Sequence, residues 1–169
     1  MARGAVSAAV ESTLREAFAT MPKAIFGRPI NAVTPGGTHI GVNVVTLYKG
    51  KVVLFEKPGL PGGPEVGDLW FPWDYLEFGE QPEVWAKHVL KQWGKVEPKE
   101  LKLAEVFSMV PPGEDWNLVF QYVAELKALP KNGDNVKNIK IIEHAQLPRM
   151  VGWLRRSDVK RFLTAVDME

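Results

Sequence analysis

The sequence predicts an α/β sandwich built on a mixed β-sheet, and three observations carry that expectation. Two β-rich runs, THIGVNVVTLY and KVVLFEK, flank a Lys49-Gly50 turn and so form a hairpin. In mid-chain, Ala86, Val89, Leu90 and Trp93 recur at i, i+3, i+4 and i+7, the period of one helix face. More strand-like runs and a closing amphipathic stretch follow. Strands on both sides of one internal helix suit a sandwich better than an alternating βαβ wind.

Taken in order, residues 5–21 place Val6, Val10, Leu14, Ala17, Phe18 and Met21 at helical spacing, and Pro22 ends the run. This is an N-terminal amphipathic helix that packs on the domain or, alternatively, forms a dimer contact. A Gly- and Pro-rich stretch leads out of it, so 1–35 reads as helix and linker and 36–169 as the main domain. After the hairpin, PGLPGGPEVGD (58–68) has four glycines and three prolines in eleven residues, which excludes helix and central strand. No helix start and no Lys-Ser/Thr follow, so a phosphate loop of the Walker type is excluded as well. A mobile surface loop or a lid over a pocket remains.

Leu69 to Phe71 reads as a strand, the chain turns near Gly79, and a helix runs from Pro82 to Trp93. Leu101–Val110 and Trp116–Leu126 read as strands. The second is apolar on both faces, which suits a central position. KNGDNVKN (131–138) is a turn, Ile139–Glu143 a short strand, and a helix begins near Ser157 as N-cap, with Val159, Phe162, Leu163 and Val166 on its buried face.

Composition narrows function by exclusion. Twenty-one basic residues against twenty acidic ones give no global field for nucleic acid or anionic membrane. The absence of cysteine rules out thiolate catalysis, disulfides and Cys-ligated zinc. His39, His88 and His144 lack metal-ligand spacing. No apolar run is long enough to span a bilayer, and the N-terminus carries Glu11 and Glu16 with no apolar h-region, so a cytoplasmic location is expected.

The stretch Trp70–Val96, WFPWDYLEFGEQPEVWAKHVLKQWGKV, is the only one that is similar to a known catalytic cassette. It resembles the Nudix box, G-x5-E-x7-R-E-U-x-E-E-x-G-U, in which U is a bulky aliphatic residue. Leu76-Glu77-Phe78-Gly79-Glu80 matches the hydrophobic-E-x-G-E segment. Ala86, Leu90 and Val96 fall on the small, aliphatic and closing positions. The hairpin upstream and the strands, Leu147-Pro148 and helix downstream agree in order, so the resemblance covers about 36–166. It implies a Nudix (MutT-like) α/β/α sandwich with a mixed sheet. For activity it implies Mg²⁺- or Mn²⁺-dependent hydrolysis of a nucleoside diphosphate linked to another group.

The departures fall on the chemistry. Trp73 and Asp74 occupy two glycine positions, and His88 stands where the family has arginine. Val89, Gln92 and Trp93 stand where it has three helical glutamates. Lys95 replaces the late glycine, with Gly94 one position earlier as an alternative. A hard divalent cation needs oxygen ligands to neutralise the attacked phosphate and activate water. Valine offers none, glutamine one neutral oxygen, and tryptophan only an N–H. Three carboxylates survive nearby. Glu77 and Glu80 are the catalytic candidates, with Glu83 beside them and Glu114 or Asp115 as carboxylates from a loop. The plainer reading of each is a turn, a helix cap or a solvated loop.

The expectation is therefore a degenerate box and a pseudoenzyme: no catalytic residue, no metal site and no cofactor, with Mg²⁺ entering only if hydrolysis persists. The protein would act by binding a nucleotide-like ligand through Trp73, Glu80 and Trp93, or by binding a partner chain, a homodimer included. A divergent hydrolase is the alternative. A further one is a subunit of an RNA-containing assembly that contacts RNA through Arg155, Arg156, Lys160 and Arg161, with Arg149 and Trp153 nearby. The apolar face of the central helix is expected to be covered, by the chain's own core or by a partner.

Overall fold

A computed structural model describes residues 38–58, 68–77, 79–110, 116–132 and 136–167, all of them in the compact unit Thr38–Glu169. The N-terminal amphipathic helix, the linker boundary near residue 35, most of the glycine-proline loop and Glu114-Asp115 lie outside these residues.

The Lys49-Gly50 hairpin forms as the sequence predicts. Strands β1 (Thr38–Tyr48) and β2 (Lys51–Glu56) pair antiparallel, and Lys49 and Gly50 both take positive φ, 51° and 72°. This is the geometry that matches strand twist in tight hairpins. Each strand is buried on both faces, so its side chains feed two separate cores. Val42, Val44, Val53 and Phe55 point to one, and Val45, Leu47, Val52 and Leu54 to the other.

Strand β3 is Trp73–Tyr75, four residues later than the sequence predicts. Trp70 makes only an isolated bridge to Phe55, and Pro72 then interrupts the pairing because it has no N–H to donate. The Pro72 carbonyl still accepts from Val44 N–H at 2.9 Å, which steers the chain onto β1. Helix α1 (Pro82–Gly94) follows, then β4 (Pro98–Met109) and β5 (Trp116–Leu126). Strand β6 (Asn138–Ile142) comes next, then a minor hairpin of β7 (Met150–Val151) and β8 (Leu154–Arg155), then helix α2 (Arg156–Ala165).

The main sheet runs β4-β5-β1-β2-β6, with β3 also on β1. β5 and β1 are parallel and the other pairs antiparallel, so the sheet is mixed. β5 lies inside the sheet between β4 and β1, as its two apolar faces require. Helix α1 covers one face and α2 the other, each over its own apolar cluster. That is the expected α/β/α sandwich. No helix among the described residues is long and apolar enough to cross a membrane.

Two helix ends depart from expectation. α1 ends with Lys95 in the left-handed region, φ 50°, its N–H held by the Lys91 carbonyl at 2.9 Å. Gly94 is not the cap. Its missing side chain serves packing, since a Cβ there would sit 2.8 Å from Pro130 and 3.4 Å from Phe55. α2 starts at Arg156 rather than after Ser157. Asp158 secures that end by accepting the Arg155 N–H at 3.0 Å.

Candidate functional site

On α1, the positions where the box would have its glutamates face two ways. Val89 is 0 % exposed and Trp93 1 % exposed, both within the core between α1 and the sheet. Gln92 points outward. Trp93 meets the edge of Phe55 at a centroid distance of 6.0 Å, and its indole N–H donates to the Trp73 carbonyl at 3.1 Å. Lys57 lies over its ring at 4.3 Å. Trp93, expected both on a covered apolar face and as a ligand contact, lies in the core, where an indole on the inward stripe gains more from burial than from water.

The surviving carboxylates do not converge. Glu77 and Glu80 are exposed around the Gly79 turn, where Glu80 N–H donates to the Glu77 carbonyl at 3.1 Å. Glu83 pairs with Lys87 at 2.7 Å, one turn along the surface. Among the described residues no three His, Asp or Glu side chains gather as a metal site. Mg²⁺ thus does not fit the α1 face, where two buried hydrocarbon surfaces stand at ligand positions. His88 is exposed and stacked on Trp85 at 4.6 Å, which gives it a packing role.

α1 nonetheless bears on one titration. Tyr122 of β5 is buried under it, and burial pushes the phenol above its ordinary 10.0, with Glu83 adding to the rise. A raised phenol favours the folded state below pH 10 and loses that advantage as pH climbs through the raised value. The stability of the native chain should therefore fall above about pH 10 by more than that of Tyr122→Phe. Urea titrations at pH 8 and 11 would show it, and identical alkaline losses would refute it.

The concave site is lined by residues of both clusters, Trp70, Trp73 and Trp153 from the α1 side and Phe71, Phe107 and Leu154 from the α2 side. Its enclosed volume is about 30 Å³, and one side opens to solvent. Alternation along the strands puts Gly41 and Asn43 of β1, Asn117 and Val119 of β5, and Phe107 and Met109 of β4 on its floor. Trp70, Phe71, Trp73, Tyr75 and Trp153 wall it, and among the described residues no lining residue is charged. The wall is a connected aromatic cluster. Trp153 stands edge-on to Trp70 at 4.9 Å and tilted to Trp73 at 5.1 Å, while Trp73 stands edge-on to Tyr75 at 5.5 Å. Gly152 makes this approach feasible, because any Cβ there would lie 2.5 Å from the Trp70 ring.

Of the residues expected to bind ligand, Trp73 lines this pocket, and Glu80 and Trp93 do not. Asn43 escaped the sequence reading. Its signal was present as one amide within an otherwise apolar two-faced strand. Register puts Trp73, Asn43 and Gln121 side by side on β3, β1 and β5. Each keeps one buried polar atom without a hydrogen-bond partner among the described residues: Trp73 Nε1, Asn43 Oδ1 and Gln121 Oε1. Gln121 is 0 % exposed, and its amide N–H₂ donates to the carbonyls of Tyr122 at 2.8 Å and Asn43 at 3.3 Å.

Two residues of the basic tail are engaged within the chain. Arg161 binds Glu105 at 3.0 Å and Asp158 at 3.3 Å, and Arg156 donates to the Pro148 carbonyl at 3.3 Å. Arg155 and Lys160 are exposed. Trp153 belongs to the aromatic wall and does not flank these charges on the surface.

No protein-family model matches the sequence, and no curated protein matches it either. Solved structures do. A MutT Nudix hydrolase from Burkholderia pseudomallei aligns over 74 % of this chain and 98 % of its own, with 15 % identity and a TM-score of 0.62. The Nudix domain of Shewanella oneidensis NrtR, solved with ADP ribose, aligns over 90 % and 97 % at 15 % identity and the same TM-score of 0.62. A Bacillus halodurans MutT protein aligns over 73 % and 79 % at 17 % identity, TM-score 0.54. With the mixed sheet between two helices and the matched hydrophobic-E-x-G-E turn, these alignments make the fold of this chain the Nudix fold.

Proposed function

We propose that this Nudix-fold chain works by binding a nucleotide-like ligand and does not hydrolyse it with a metal. One observation carries the reading: the α1 face that would hold a cation is closed by Val89 and Trp93 as core. The pocket walled by Trp73 and its neighbours supplies a concave, desolvated surface for a ligand elsewhere on the fold. Support from similarity is of one kind only. The NrtR domain was solved with ADP ribose, so a chain of this shape accommodates such a molecule. The competing reading is a divergent hydrolase drawing on Glu77, Glu80 and Glu83, favoured by the hydrolase names of the similar structures.

A turnover panel separates the two. ADP-ribose, NADH, diadenosine polyphosphates and nucleoside triphosphates are incubated with the protein and Mg²⁺ or Mn²⁺. The expected result is no turnover but thermal stabilisation by at least one of them. At a hundredfold excess over Kd, binding adds about 2.7 kcal/mol, which for a domain of this size raises Tm by about 5–10 °C. Metal-dependent turnover that Glu80→Gln abolishes would overturn the proposal.

A further inference from the structure

We infer that β4 is a docking edge for a second copy of this chain, the two copies pairing antiparallel about a two-fold axis at Leu103. The contact is independent of the pocket and of what it binds. Its first support is the edge itself. β4 is a terminal strand of the sheet, with no strand on its outer side among the described residues. It is twelve residues long, against about five or six for an ordinary strand, while β6 at the opposite edge has five. A long row of unpaired N–H and C=O groups is a template for another strand unless it is blunted or covered. None of the twelve residues is buried, and two large apolar ones are well exposed, Leu103 at 49 % and Val106 at 44 %.

The second support is a bulge. Residues three apart in a regular strand leave opposite faces. The β4 register on β5 shifts between Leu103 and Glu105, so Leu103 stands opposite Tyr122 and Val106 opposite Phe120. Those partners are two positions apart on β5, which puts Leu103 and Val106 on one face. Leu101, opposite Ala124, joins them there, while Lys102 and Glu105, opposite Val123 and Gln121, share the other face. Bulges often turn an edge away from partners; this one sorts the edge into an apolar row and a charged row. The third support is that both rows complement themselves at one register only. A two-fold axis normal to the sheet pairs residues of the same face. With the axis at Leu103, that residue meets its own copy, Leu101 meets Val106 twice, and Lys102 meets Glu105 twice. With the axis at Lys102 or Glu105, like charges stand directly opposite, which destabilises the pair. At Leu101, Leu103 would face Pro98, which has no N–H to give, and at Val106 no opposite charges meet. Lys102 and Glu105 already bind Glu100 and Arg161, each at 3.0 Å, while staying partly exposed. The cross-copy pairs would extend that surface network.

Such a pairing is isologous, so it closes at two copies, and its small area makes it a reversible dimer. Sedimentation of the full chain at micromolar concentrations should show a monomer–dimer equilibrium. Leu103→Lys sets two ammonium groups against each other on the axis and should weaken the dimer about a hundredfold, with the melting temperature of dilute protein unchanged. Lys102→Glu and Glu105→Lys should each weaken it about tenfold, and the two together should restore it. The sequence has no cysteine, so Leu103→Cys gives one thiol per copy. Directly opposed residues have Cβ atoms about 4.5–5.5 Å apart, close to what a disulfide spans. Mild oxidation should therefore link Leu103→Cys into a covalent dimer far faster than Ile141→Cys, an exposed position on the β6 edge.

A chain that stays monomeric throughout, or equal crosslinking of the two cysteine variants, would overturn the assignment. So would a dimer that Leu103→Lys leaves intact, since the contact would then lie on another surface. If Leu103→Lys does not fold, the crosslinking comparison carries the test.

Discussion

Replacing Val89 with glutamate, the residue the Nudix box would have there, is expected to cost about 3–5 kcal/mol of stability rather than create a metal site. Val89 is 0 % exposed and packed between α1 and the sheet, with Trp85, Leu90 and Trp93 in the same cluster. A carboxylate at that point loses its hydration inside an apolar cluster. Domains of ordinary stability hold about 5–15 kcal/mol in total, so the variant would approach the unfolding threshold. The loss has a pH signature. Burial raises the carboxyl pKa in the folded state, so the variant suffers least below the ordinary carboxylate range and most as pH rises through the raised value. Urea unfolding at pH 4 and pH 7, with and without Mg²⁺, reads all of this. A variant that folds as the parent does at pH 7, or that Mg²⁺ stabilises, would sink the account of α1 as core.

The second large effect belongs to the opposite face. Phe162 of α2 is 0 % exposed and stacks on Phe107 of β4 at 5.7 Å with 20° between the rings. Phe107 in turn lines the pocket floor. Phe162→Ala should cost about 3–5 kcal/mol through lost burial and the cavity left behind. Phe162→Leu should cost well under half of that, because the gap is mostly refilled. A stability within 1 kcal/mol of the parent would show that α2 does not brace the sheet there.

Much of the fold could be read from periodicity. The β1–β2 hairpin, the stripe on α1 and the two-faced β5 each declared themselves within ten or so residues, because local geometry fixes which side chains share a face. The same stripe gave the burial of Val89 and Trp93. What could not be read depended on residues far apart. The β3 segment was placed too early since Trp70 is apolar enough for a strand, and only the bridge to Phe55 and the interruption at Pro72 limit it. The pocket joins the Trp70–Tyr75 segment, β1, β4, β5 and the β7–β8 hairpin. The neighbourhood of Asn43 and Trp73 in its lining is a register fact linking residue 43 to residue 73. Trp93 and Trp73 were both ligand candidates in sequence; they pack against one cluster, and only Trp73 also lines the pocket.

The parallel pairing of β1 with β5 has a consequence for synthesis. Every partner in that ladder lies 78 residues downstream, as with Asn43 and Gln121. At about 5–20 residues per second, β1 waits on the order of 4–16 s for its second neighbour while the chain is still being made. In that interval the β1–β2 hairpin exists with both outer edges open, one awaiting β5 and the other β6, and with apolar side chains on both sides. Such an edge invites pairing with another chain. The period of greatest risk for this protein therefore falls on the ribosome, before residue 116 has emerged, and slower translation lengthens it.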